Sequence, residues 1–266
     1  MSLRSLGTAM NSNTPFFSII VPTYDEERLL PGLLESIRQQ TFQDYDVIVA
    51  DDCSTDTTQK IAQAYGAKLV MSDGIGEYPS RNAAASNAKG NILIFTGADT
   101  LMPRNLLSSV AAKFEKDPGL AGMYCPTYPY DGALWAKVEF TMWYVFTTLL
   151  YWITREANAS TAFFAVKSEV FRKTGGFSNT AHADSSLSRQ LSRRFKIRPA
   201  LDLVIFVSGR RTRLGVLGFN RYHLAMIMDV GFRFLRKSAW LRAEKEYRIG
   251  LHTKSKQSPS QARRKG

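Results

Sequence analysis

Between residues 16 and 125, short apolar runs alternate with segments whose apolar residues recur at helical spacing. Phe16–Pro22, Tyr45–Ala50, Ala67–Met71, Asn91–Thr96 and Ala121–Cys125 read as buried strands. Glu26–Gln40 places Leu29, Leu30, Leu33, Leu34 and Ile37 on one helical stripe. Ser54-Thr-Asp-Thr-Thr opens a second helix, with Ser54 or Thr55 as its N-cap. Tyr78–Lys89 is a third, stopped by Gly90, and Pro103–Lys116 a fourth. An order of this kind predicts an α/β fold with a mostly parallel, doubly wound central sheet flanked by helices. Such sheets bind ligands at the carboxyl ends of their strands. That rule brings Pro22–Glu26, Asp51–Ser54 and Gly97–Asp99 together.

Past residue 130 the alternation stops. Phe140–Ile153 is almost wholly apolar and aromatic, yet too short to span a bilayer. It is expected as a core helix for about half of its residues, or as an interfacial surface. Leu214–Leu235 mixes apolar residues with Arg221, Asp229 and Arg233, the pattern of an amphipathic helix. Charge divides the chain as well. Residues 1–188 hold 15 Lys and Arg against 19 Asp and Glu, whereas 189–266 hold 20 against 4. The formal charge of +12 therefore belongs to the C-terminal third, in clusters such as Arg193-Arg194-x-Lys196, Arg210-Arg211-x-Arg213 and Arg236-Lys237.

Two cysteines, Cys53 and Cys125, give neither a disulfide framework nor a thiolate metal site, and fit a reducing, cytoplasmic setting. Residues 1–14 lack the apolar core of a signal peptide and are expected to be a disordered leader. The expected organisation is a doubly wound half over 15–125, a second half of the same domain over 126–200, a basic amphipathic helical extension over 201–250, and a disordered tail over 251–266.

Acids cluster where the ligand rule points. A carboxylate at a strand end accepts hydrogen bonds from a base or sugar, or binds a hard cation. An isolated Asp there is more often a turn or cap residue. Three such strand ends on one sheet edge shift that balance.

Five segments carry a resemblance. Val21-Pro-Thr-Tyr-Asp-Glu-Glu is similar to the opening motif of family 2 glycosyltransferases. Asp51-Asp-Cys-Ser-Thr-Asp-Thr-Thr resembles that family's Asp-Asp-x-Ser-x-Asp-x-Thr signature, and Pro79-Ser-Arg-Asn its Ala-Arg-Asn segment. Gly97-Ala-Asp99 stands where the family has Asp-x-Asp, and Gly175-Gly-Phe177 with Asp184 and Leu187 resembles its acceptor-side segment. The resemblance implies a GT-A fold, a nucleoside-diphosphate sugar as donor (UDP- or GDP-linked), and transfer with inversion. It makes 15–125 the nucleotide-sugar-binding half and 126–200 the acceptor half.

It also implies roles. Pro22, Tyr24 and Glu26 would line the nucleoside pocket, and Asp51 and Asp52 would accept hydrogen bonds from the base or ribose. Arg81 would approach the base or diphosphate with its forked donors. Asn82 would orient Arg81 or cap the turn. Asp99 would lie near the ribose and ligate a divalent ion, Mg²⁺ or Mn²⁺. Asp184 would be the general base, with His182 a weaker candidate beside it. Two positions depart from the pattern. Gly97 removes one carboxylate ligand, leaving a metal to Asp99, diphosphate oxygens and water, and Ala183 replaces the acid that usually precedes the base.

Other classes are weighed against this. A nucleotidyltransferase opens on a Gly-rich basic loop, whereas Pro22-Thr-Tyr-Asp-Glu-Glu is acidic. No G-x-G-x-x-G follows the first strand, which disfavours a dinucleotide oxidoreductase. Gly97 and Ala183 motivate a non-catalytic nucleotide-sugar-binding or membrane scaffold. The acceptor is expected to be a hydroxyl or phosphate on a glycan or a lipid-linked glycan. The aromatic run and the basic residues of 190–250 predict peripheral attachment to an anionic membrane surface on its cytoplasmic face, rather than nucleic-acid binding.

Overall fold

The structure, a computed structural model, describes residues 14–74, 76–180 and 182–210. The expected strands form on the apolar runs: β1 (Phe17–Thr23), β2 (Tyr45–Asp51), β3 (Lys68–Met71), β4 (Ile92–Thr96) and, after the two-residue β5 (Thr100–Leu101), β6 (Leu120–Tyr124). Between them lie α1 (Leu30–Arg38), α2 (Thr58–Ala64), α3 (Glu77–Asn87) and α4 (Leu106–Lys116). α1 begins later than its stripe predicts. Residues 25–27 are held as a loop by side chains of the β2–α2 turn, and Pro31 occupies the first helical turn, where its missing N–H is harmless.

The second half adds β7 (Thr127–Pro129), α5 (Leu134–Thr154), β8 (Phe163–Lys167), α6 (Ser168–Arg172), α7 (Ala183–Ser192), β9 (Lys196–Pro199) and β10 (Ile205–Val207). The main sheet has seven strands in the order β3-β2-β1-β4-β8-β6-β9. β1 pairs in parallel with both β2 and β4, so the carboxyl ends of these three strands open on one edge. β8 runs antiparallel between β4 and β6. The expected nucleotide and acceptor halves are thus stitched into one sheet by a strand from the second.

Alternation along β1 assigns its side chains to opposite faces. Phe17, Ile19 and Val21 pack under α1 and α4, and Ile20 joins Ile48, Leu93 and Phe95 under α3 and α7. Both faces of the central strands are therefore covered, as near-continuous apolar strands require, while the edge strands β3 and β9 keep exposed positions.

Residues 201–210, expected to open the helical extension, do otherwise. β10 enters a three-stranded sheet, β5-β10-β7, beside the carboxyl end of β4. The rest of the extension, Leu214–Leu235, the residues Arg211, Arg213, Arg236 and Lys237, the tail, and residues 1–13 lie outside the described residues.

α5 corrects the core-helix expectation. Within its 21 residues only Ala136, Thr147 and Tyr151 are buried. Leu134, Val138, Met142, Val145, Phe146, Leu149, Trp152 and Ile153 are exposed, recurring every three to four residues along one face. No helix among the described residues is long and apolar enough to cross a membrane.

Candidate active site

The first two strand-end loops are locked to each other before any ligand is considered. The Asp25 amide donates to Ser54 Oγ (2.9 Å), the Glu26 amide to Thr58 Oγ1 (2.8 Å) and the Glu27 amide to Asp56 Oδ2 (3.1 Å). In return, Asp25 Oδ1 accepts from the Thr55 amide (2.7 Å), and Glu27 Oε2 from the Thr57 amide and hydroxyl (3.2 and 2.9 Å). Ser54, Asp56 and Thr58, recurring polar positions of the second motif, are therefore the fasteners of the first. Asp25 and Cys53 adopt left-handed backbone (φ 51° and 66°), which turns the chain sharply at both strand ends. Burial pushes the Asp56 carboxyl up, but donation from the Thr58 hydroxyl and the Thr58 and Glu27 amides outweighs it and holds the carboxyl below its usual range.

Asp51 and Asp52 divide into two settings. Asp51 ends β2 fully buried, and its oxygens accept from Thr23 Oγ1 (3.0 Å), the Ser54 amide (3.0 Å), Ser54 Oγ and Gln59 Nε2 (2.9 Å). With these contacts Asp51 organises the turn from within. Asp52 is half-buried and accepts from Ser72 Oγ (3.0 Å), Ser80 Oγ (3.2 Å) and the Gly76 amide (3.0 Å), anchoring the loop before α3. Pro22 and Tyr24 stay part-exposed on the same edge.

Arg81 lies deep beneath the same edge. It is 2% exposed, donating from Nη1 to the Thr96 carbonyl at the end of β4 (2.8 Å) and from Nη2 to Glu77 (2.9 Å). Its Nε is buried with no hydrogen-bond partner among the described residues. The guanidinium braces the strand end from beneath. Asn82 neither orients Arg81 nor caps a turn. Its amide exchanges two hydrogen bonds with the backbone of Phe177 (2.8 and 2.9 Å). Gly176, at φ +74°, leaves room for it, since a Cβ there would lie 2.5 Å from Asn82 Oδ1. This pair ties the Arg-Asn segment to the Gly-Gly-Phe segment.

At the end of β4, Asp99 Oδ2 accepts from Arg210 Nε (3.0 Å). The same guanidinium grips Glu26 through both terminal nitrogens, each at 2.8 Å. Sequence reasoning missed Arg210 here and counted it among the lipid-facing basic clusters. Among the described residues no group of three or more His, Cys, Asp and Glu side chains could hold a metal. Gly97 offers no carboxylate and Asp99 is already engaged. These residues alone do not make the divalent-ion site expected at Asp99.

On the acceptor side, Asp184 lies in the first turn of α7. Oδ2 accepts from the Thr161 amide (3.2 Å) and Oδ1 from the Ser185 amide (2.7 Å). It thereby joins the loop before β8 to the helix and remains part-exposed. His182, the residue before the helix, has left-handed backbone (φ 53°).

A family model described as Glycosyl transferase family 2 matches residues 18–175, more than half of the chain. The chain belongs to glycosyltransferase family 2. Relatives within the family include the poly(ribitol-phosphate) beta-N-acetylglucosaminyltransferase TarS of Staphylococcus aureus, 36% identical over 104 residues, or 36% of this chain and 18% of that protein. A PGL/p-HBAD biosynthesis glycosyltransferase of Mycobacterium bovis is 37% identical over 105 residues, 37% of this chain and 41% of that one. The chain thus spans less than half the length of these curated relatives. Among solved structures, the mannosyltransferase PcManGT from Pyrobaculum calidifontis, in complex with GDP-Man and Mn²⁺, superposes with a TM-score of 0.64 at 22% identity, over 91% of this chain and 71% of that one. S. aureus TarS 1–349 in complex with UDP-GlcNAc gives 0.58 at 20% identity, over 73% and 58%. At these identities the likeness is one of fold. The mostly parallel sheet flanked by helices is the GT-A architecture the motifs implied.

Proposed function

We propose that the protein transfers a sugar, with inversion, from a UDP- or GDP-linked donor to a hydroxyl of a glycan or lipid-linked acceptor. The observation that carries this is the locked pair of loops at the ends of β1 and β2, facing Asp99 at the end of β4. In this reading the nucleoside lies between Tyr24 and Asp52, on loops whose other polar groups already satisfy one another. Such a site is rigid before the ligand arrives, so little ordering entropy is lost on binding. Asp51 and Arg81 act as positioning residues beneath it.

The chemistry then needs a base and a stabilised leaving group. The acceptor oxygen attacks the anomeric carbon as the bond to the diphosphate oxygen breaks, and that bond's electron pair leaves with the nucleoside diphosphate. Asp184 takes the acceptor proton. Its two amide donors fix the carboxylate's orientation, which geometry-sensitive proton transfer requires.

Thermal unfolding with UDP, GDP and CDP tests donor binding. A rise in melting temperature with UDP or GDP, absent in Asp52→Ala, is expected, and no shift with any of them would overturn the donor site. Sugar transfer or donor hydrolysis that vanishes in Asp184→Asn, with nucleotide binding intact, is expected of the base. Binding without turnover by the unaltered protein across an acceptor panel would favour the scaffold alternative.

The exposed face of α5 supports a membrane-borne acceptor. Ten exposed positions on this helix carry no charge, whereas Lys137 and Glu139 lie part-buried within it and Arg155 follows it, with its guanidinium 5.1 Å from the Trp152 ring centroid. Apolar side chains flanked by Trp and cations suit a helix lying in the headgroup zone. We read the protein as peripheral on the cytoplasmic face of an anionic membrane, with α5 as well as the basic C-terminal third in contact. Equal recovery with anionic and neutral liposomes at low salt would contradict the electrostatic part of this reading.

A further inference from the structure

The donor site contains a cation of its own. Arg210 reaches the carboxyl edge of the sheet from the far end of the described chain, 184 positions from Glu26. Its place is built by the two residues before it. The Ser208 amide donates to the Asp99 carbonyl (2.8 Å), Ser208 Oγ to Asp131 Oδ2 (3.3 Å), and the Gly209 amide to Asp131 Oδ1. Gly209 is buried, and a Cβ there would lie 2.4 Å from the Asp131 carbonyl oxygen. The backbone is therefore seated too closely for any side chain, and this aims Arg210 at β1 and β4. There all three guanidinium nitrogens meet carboxylates: Nη1 and Nη2 on Glu26, and Nε on Asp99.

Gly97 belongs to the same arrangement. A Cβ at 97 would sit 2.7 Å from Asp99 Oδ1, so the carboxylate as it lies now uses the space that a side chain would take. A second acid at 97 would force Asp99 to swing aside and would bring another negative charge to the edge. With glycine there, two carboxylates share one guanidinium instead of assembling the acidic cluster that a divalent ion needs.

We propose that Arg210 is the resident diphosphate-binding cation of this site, doing by a guanidinium what the Asp-x-Asp metal does elsewhere in the family. On donor entry its forked donors pass from Glu26 to the diphosphate oxygens, a planar geometry they match equally well. Glu26 and Asp99 hold the guanidinium in readiness, and as the sugar–diphosphate bond breaks, Arg210 faces the charge gathering on the departing oxygen. No covalent bond to Arg210 forms or breaks. The proposal rests on the donor site described above and adds that nucleoside-diphosphate binding there is largely independent of divalent metal.

Calorimetric titration of the full chain with UDP and GDP, in EDTA and in Mn²⁺, tests it. The unaltered protein is expected to bind one of these nucleotides with affinities in EDTA and Mn²⁺ that agree within about threefold. Arg210→Ala is expected to weaken that binding in EDTA by about tenfold or more, the loss of a forked, charge-assisted contact. It should leave the affinity for the bare nucleoside within about twofold. Arg210→Lys, which keeps the charge but loses the fork, should fall between them, and thermal unfolding of both variants checks that they fold. Binding that appears only with Mn²⁺ and is unchanged in Arg210→Ala would overturn the resident cation while leaving the donor site standing. Absence of binding to any nucleotide in either condition would overturn both.

Discussion

The strand-end loops and the outer face of α5 treat their side chains in opposite ways. In the loops, polar groups are consumed internally: Asp25, Glu27, Ser54, Thr55, Asp56, Thr57 and Thr58 bond one another, and Asp51 is buried beneath them. On α5, apolar groups are left uncovered, from Leu134 to Ile153. The first region is finished as an isolated chain and needs only a ligand's own polar groups. The second leaves a contiguous apolar stripe exposed, the feature on which the proposed membrane contact rests. The contrast teaches that a motif-rich, acidic loop can be mainly architectural, and that an apolar helix can be mainly surface.

The comparison breaks most readily at Asp51. Asp51→Ala would strand the Thr23, Ser54 and Gln59 donors in the interior and should destabilise the fold by about 3 kcal/mol in denaturant unfolding. A cost below about 1 kcal/mol would mean that the loops are not held from within. Gly176→Ala meets both a left-handed backbone and the Asn82 amide and should cost about 2 kcal/mol. Asn82→Ala in the same background should then add little, because both substitutions break one contact.

On the other side of the comparison, Met142→Glu with Leu149→Glu should change stability by no more than about 0.5 kcal/mol, because both positions already face solvent. The same pair should abolish recovery with anionic liposomes. Loss of folding with these substitutions would show that the face is covered in the protein itself.

The smallest effect is acid sensitivity. Asp56 is held below its ordinary value in the folded chain, so its contribution is complete above the unfolded value of about 3.9 and is lost as pH falls through the lower, folded one. Asp56→Asn should therefore flatten the decline in stability below about pH 4 while leaving its course above that pH unchanged. Identical acid limbs for the two proteins would contradict the Asp56 contacts.

What was legible in the sequence was local. Strands β1, β2, β4 and β6 fall on apolar runs, within a residue or two, because burial on both faces demands such runs, and β3 was legible although it is a part-exposed edge strand. The three strand ends meet where the parallel order requires. β8 escaped because an antiparallel insertion between β4 and β6 has no local signature, and Phe163–Lys167 reads like any short apolar run. Asp51 and Asp52 looked equivalent as neighbours, although the first is the buried last residue of β2 and the second already lies in the turn beyond it. Arg210 and the Asn82–Phe177 pair were invisible for another reason. Their contacts join residues 184 and 95 positions apart, and no spacing rule reaches that far. α5 misled because composition reports how apolar a helix is, not whether anything covers it.

The central claim is that the carboxyl edge of β1, β2 and β4 binds a nucleoside diphosphate. A crystal structure of the full chain with UDP or GDP tests it most directly. The account predicts the base against Tyr24 and Asp52, with the diphosphate on the terminal nitrogens of Arg210 in place of Glu26. A nucleotide bound away from that edge, with Arg210 still clamped to Glu26 and the Tyr24 loop untouched, would contradict it.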